Sequence, residues 1–146
     1  MSVRGATWAT WAVRIAFALV FAVNVQCALQ FALTPGDFAG AYELSGVAGE
    51  AAVRGLGIAF LMWNATYPAF ILAPRRFPVL GWVIIAQQAI GLVGETALLL
   101  TLPAGHDLLA ASVTRFIAFD AAGLVIMLAA LVALATQNSA SSRNGR

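Results

Sequence analysis

Apolar positions in this chain run in four nearly unbroken blocks, not at the two- or 3.6-residue period of half-buried soluble elements. The blocks are Trp11–Leu33, Ala51–Leu72, Val79–Leu102 and Leu108–Leu134. A bilayer core is crossed by about 20 apolar residues as a helix, and only helices or closed barrels satisfy their own backbone there. No block shows the strict alternation of a barrel strand. The pattern therefore predicts an all-α integral membrane four-helix bundle, one domain over residues 1–136, with a polar, loosely held tail over 137–146.

The connections carry turn chemistry. Thr34-Pro35-Gly36-Asp37 reads as a capping box with proline at the first helical position, opening a short helix that rests Phe38 and Tyr42 on the membrane surface. Pro74-Arg75-Arg76-Phe77-Pro78 has room only for a tight antiparallel turn. Pro103-Ala104-Gly105 ends the third span, and Asp107 is a suitable N-cap for the fourth. Inside the second span Pro68 lacks the amide that would bond to the Asn64 carbonyl, which predicts a kink near Trp63–Tyr67.

Composition agrees with lipid as the solvent. Of 146 residues 62% are hydrophobic and 10% charged, with mean hydropathy +0.89, whereas a soluble domain carries about a quarter charged residues. The apolar run after Arg14 is longer than a signal-peptide core, which predicts a retained span. Cys27 reads as a small buried hydrophobe, and no Cys/His spacing suggests a metal site. The net charge of +2 is scattered and gives nucleic-acid binding no support.

All eight basic residues are arginine. Arg4, Arg14, Arg75, Arg76, Arg143 and Arg146 flank one side of the predicted spans. The connections on the other side carry Asp37, Glu43, Glu50 and Asp107 and no cation. By the positive-inside rule both termini and the middle turn face the cytoplasm of a bacterial inner membrane.

Candidate chemistry lies within the spans. Arg54, Glu95, Arg115 and Asp120, with Glu50 one turn before Arg54, form a predicted charge cluster. Asn24, Gln26, Gln87, Gln88, Trp63, Asn64 and Tyr67 are candidates for a polar pocket beside it. At about 1.5 Å per residue most of these reach one layer in the outer half. A charge at mid-span costs about 2.5–3.5 kcal/mol on insertion scales, so pairs are expected: Arg54–Glu95, with Arg115 meeting Asp120 or Glu95. Asp120 alternatively meets a glutamine or carries a proton.

Three functions fit this layer. The polar groups are glue in a non-catalytic accessory subunit of a larger membrane complex, or Glu95 and Asp120 carry protons or a small solute through an oligomeric transporter or channel. The third is a component that binds lipid, quinone or pigment through Trp63, Asn64, Tyr67 and the glutamines. No catalytic triad, nucleophile elbow or cysteine pair points to an enzyme, and no cofactor is called for by a motif. His106 is an ordinary loop residue or an axial ligand to a pigment or haem. The expected partners are membrane lipids, other membrane subunits or further copies of the chain.

From Thr34 to about Leu100, the order Pro35, Arg54-Gly55-Leu56-Gly57, Pro74-Arg75-Arg76 and Gly91-Leu92-Val93-Gly94-Glu95 resembles the DoxX-like group of small bacterial four-helix membrane proteins. Where members of that group often show arginine, this chain has Glu95. The resemblance implies a four-helix membrane fold. Through relatives similar to subunits of quinone-linked oxidoreductases, it also implies an accessory-subunit role.

Overall fold

A long apolar block lets each backbone amide reach the carbonyl four residues earlier, and every block here folds that way. The computed structural model describes residues 8–143, with the side chains of 138 and 140–143 left aside. The helices are α1 (Trp8–Leu33), α2 (Gly36–Ala39), α3 (Gly46–Asn64), α4 (Tyr67–Leu72), α5 (Pro78–Thr101) and α6 (Asp107–Arg143). A 3-10 turn at Gly40–Tyr42 joins α2 to α3. Four helical stretches are long and apolar enough to cross a membrane: Trp8–Leu33, Gly46–Leu72, Pro78–Thr101 and Asp107–Gln137.

The four stretches alternate in direction. Residues 34–45 and 102–106 connect them at what we call the upper end, and the Ala73–Phe77 turn connects them at the lower end. α6 continues unbroken through Gln137 to Arg143, so the expected tail is helical as far as it is described. Arg4 and Arg146 lie outside the described residues.

Pro68 has the predicted effect on the second stretch. The helix stops at Asn64, turns through Ala65 and Thr66, and resumes at Tyr67. The Asn64 side chain folds back and donates to the Phe60 carbonyl at 2.8 Å.

α1 is the hub, packing along α3, across α6 and onto α4, while α5 packs along α6. α3 makes no extended contact with α5 or α6. Gly57 sets the α1–α3 approach: a Cβ there would lie 2.7 Å from both the Ala28 carbonyl oxygen and the Ala32 amide nitrogen. In the lower half Phe17, Tyr67, Phe70, Ile84, Met127 and Leu131 form a dense apolar core, with Phe17 and Phe70 ring centroids 4.6 Å apart. A smaller cluster around Phe31, Ala39 and Val53 closes the upper end.

Two expectations about the upper connection are corrected. The Thr34 hydroxyl makes no capping box. It donates to the Gln30 carbonyl at 3.1 Å, which also accepts from the Thr34 amide at 2.9 Å. Phe38 and Tyr42 pack on Phe31, at centroid distances of 5.1 and 5.8 Å. The left-handed backbone of Glu43 (φ 57°) folds this segment back over the bundle.

The second correction concerns the cap of α6. Asp107 is the first helical residue, and Glu43 supplies the cap from 66 residues away, accepting from the Leu109 amide at 3.2 Å. Its second carboxylate oxygen contacts His106 Nδ1. These bonds, that to His106 foremost, hold the Glu43 carboxyl below its ordinary pKa, as expected of a carboxylate at a helix N-terminus.

Candidate functional site

Between the two apolar clusters the four stretches line an open-sided cavity of about 250 Å³. Each contributes side chains at helical spacing, so one stripe of every helix faces inward. α1 gives Asn24 and Cys27, and α3 gives Phe60, Trp63 and Asn64. α5 gives Gln88, Gly91 and Glu95. α6 completes the wall with Arg115, Phe116, Phe119 and Asp120.

The floor is polar. Asn24 Nδ2 donates to Asn64 Oδ1 at 3.4 Å, and Gln88 Nε2 donates to Asp120 Oδ1 at 2.8 Å. Asn64 and Gln88 are each only 4% exposed, so these amides are buried and bonded, as buried polar groups must be. The walls and roof are largely aromatic, with Phe60 and Phe116 rings 6.0 Å apart. Gly91 makes room on the α5 side: a Cβ there would come within 3.0 Å of Asp120 Oδ2 and 3.4 Å of Trp63 Cη2.

The predicted charge cluster divides. Glu95, Arg115 and Asp120 line the cavity, whereas Arg54 and Glu50 are exposed on α3, outside it. Glu50 lies at the upper end, where its carboxylate would meet a Cβ placed on Gly36. Among the described residues no arginine comes within salt-bridge distance of Glu95 or Asp120. The expected pairs Arg54–Glu95 and Arg115 with either carboxylate are therefore not formed. Arg54 turns away because Val53 and Gly57 take the α1-facing side of α3, and Arg115, at an exposed position, donates to Ser112 Oγ at 3.2 Å. One oxygen of Glu95, Oε2, is buried with no hydrogen-bond partner.

The predicted pocket residues divide likewise. Asn24, Trp63, Asn64 and Gln88 line the cavity. Gln26 is exposed, Gln87 is half-buried off the cavity, and Tyr67 is fully buried in the core beneath it. The Tyr67 hydroxyl lies 3.9 Å from Met127 Sδ. Cys27, Phe60, Gly91, Phe116 and Phe119 reach the cavity without having been predicted. The available signal was their spacing of three or four residues from a polar neighbour: Cys27 from Asn24, Phe60 from Asn64, Gly91 from Gln88, Phe116 from Asp120 and Phe119 from Arg115.

Chemically the cavity sets two carboxylates, Glu95 and Asp120, beside one guanidinium, that of Arg115. No group of three or more His, Cys, Asp or Glu side chains able to hold a metal is present among the described residues. Two carboxylates, one bound on one side by a primary amide and one with a free oxygen, face aromatic rings in a half-open space between the helices. That set suits a small molecule with an apolar body and a hydrogen-bond-donating head. Comparison with known proteins finds no matching family model, no matching curated protein and no matching solved structure.

Proposed function

We propose that the protein is a multi-pass membrane protein of a bacterial inner membrane, with both termini cytoplasmic, whose cavity binds a small amphipathic amine. The arginine-rich lower end supports the cytoplasmic placement by the positive-inside rule. The observation that carries the ligand class is the buried, unpartnered Oε2 of Glu95 in a cavity that also holds Asp120 and Trp63. A buried polar atom without a partner costs about 1–3 kcal/mol, which a donor brought by a ligand recovers. An ammonium head gains further from aromatic faces, about 0.5–2 kcal/mol.

The test follows Trp63 fluorescence in a variant with Trp8, Trp11 and Trp82 replaced by phenylalanine, titrated with phenethylamine in mild detergent. A saturable change that Glu95→Gln abolishes supports the reading. An equal response in the Glu95→Gln variant, or none in either, sinks it. Two carboxylates on one cavity also favour a transport role, tested by amine uptake into proteoliposomes across a pH gradient.

A further inference from the structure

The opposite end of the bundle holds a second hollow, independent of the amine cavity. It has a volume of about 300 Å³ and is lined by Thr10 and Arg14 of α1, the end of the second stretch at Leu72–Pro74, and Arg75 and Arg76 of the turn. Two of the three guanidinium groups are fixed by protein contacts. Arg14 Nη2 donates to the Leu72 carbonyl at 2.9 Å, and Arg75 Nε donates to Thr10 Oγ1 at 3.1 Å. Arg14 also stacks over Trp11, and its Nε is buried with no partner. The Arg76 guanidinium rests over the Phe77 ring.

No carboxylate side chain can reach this hollow. The chain has six Asp and Glu residues in all. The deepest, Asp120, sits against Gly91, roughly 20 Å of helix from the start of α5 at Pro78. The C-terminal end of α4 also reaches the hollow, where its Leu72 carbonyl is already engaged by Arg14. Three arginines thus line a pocket at the lower end of the bundle.

We infer that this hollow binds a phosphate group, held in the fork geometry that guanidinium groups offer to phosphate oxygens. Its source is the headgroup of an anionic phospholipid or a soluble phosphate. The Trp11 and Phe77 side chains, which lie against Arg14 and Arg76, are exposed and suit the chains of a lipid anchored there. Basic pockets between spans commonly hold such headgroups.

The experiment is native mass spectrometry and equilibrium binding on the full chain in mild detergent. Phosphatidylglycerol, phosphatidylcholine and inorganic phosphate are the probes. The variants are Arg14→Gln, Arg75→Gln and Arg76→Gln, with Arg54→Gln as control. The expected result is retention of phosphatidylglycerol over phosphatidylcholine, weakened roughly fivefold for each lower-end arginine removed and unchanged in the control. Saturable binding of inorganic phosphate at the same arginines, without preference for phosphatidylglycerol, supports the site with a soluble phosphate as its ligand. Because Arg14 also secures Leu72, the Arg76→Gln variant decides the matter should Arg14→Gln fail to fold. Equal binding by wild type and the Arg76→Gln variant, equal loss in the control, or no binding of either phosphate probe overturns the proposal.

Discussion

Gln88 and Asp120 hold α5 to α6 at the floor of the cavity: Gln88 Nε2 donates to Asp120 Oδ1 at 2.8 Å and, more weakly, to the Asp120 carbonyl at 3.5 Å. The amide is nearly fully buried, so both partners depend on each other for satisfaction. Gln88→Leu strands the Asp120 carboxylate and is expected to destabilise the protein by about 1–3 kcal/mol, read as a lower thermal midpoint in detergent. Asp120→Asn keeps an acceptor for Gln88 and is expected to cost less than Gln88→Leu.

Glu43 makes stability depend on acidity. Its carboxyl titrates below the ordinary glutamate range in the folded protein. Its bonds to His106 and Leu109 therefore contribute fully above the unfolded-state pKa of about 4.3. That contribution is lost as the pH falls through the lower, folded-state value. Thermal midpoints of wild type and Glu43→Gln, followed from pH 7 down to pH 3, are expected to differ at neutral pH and to converge at the acid end. A gap that stays constant over this range contradicts the assignment of Glu43 as the cap of α6.

Two glycines on α3 two residues apart should respond oppositely. A methyl group at Gly57 meets the backbone of α1 at 2.7 Å, while one at Gly55 meets nothing within 4 Å. Gly57→Ala must therefore push α1 away from α3 and is expected to cost about 1–3 kcal/mol, as overpacking does. Gly55→Ala is expected to be neutral or to stabilise by up to about 1 kcal/mol through helix propensity. Paired thermal unfolding of the two variants checks this.

Gly91 gives a test of the cavity that leaves both carboxylates in place. The added methyl of Gly91→Ala would stand 3.0 Å from Asp120 and 3.4 Å from Trp63, crowding the space between them. Phenethylamine binding, followed by Trp63 fluorescence, is expected to weaken several-fold while the helical content seen by circular dichroism stays unchanged.

How much of this was readable from the chain depends on what each residue's neighbours demand. The four apolar stretches and the break before Pro68 follow from the bilayer length and from a missing amide, both local facts. Facing is harder. A stretch apolar on every side offers no polar stripe to show which way it turns, so the lipid side and the bundle side of α3 look alike in the sequence. That is why Arg54, expected inside, lies outside: Val53 and Gly57 take the side that packs on α1, and Arg54 is turned about 100° from Val53. On α6 the polar residues fall on a recognisable face with Phe116 and Phe119, and there the inward side could have been inferred. The Glu43 cap joins residues 66 apart and had no local signature at all.

The Glu43 clasp and the Ala73–Phe77 turn together fasten the front half of the chain to the back half at both ends, like a hoop pinned top and bottom. α3 makes no extended contact with α5 or α6 and reaches them through side chains, as where Phe60 meets Phe116, so the slack in that hoop lies along its flank. A guest coming from that side has fewer contacts to part than one arriving end-on, which would have to undo a pin.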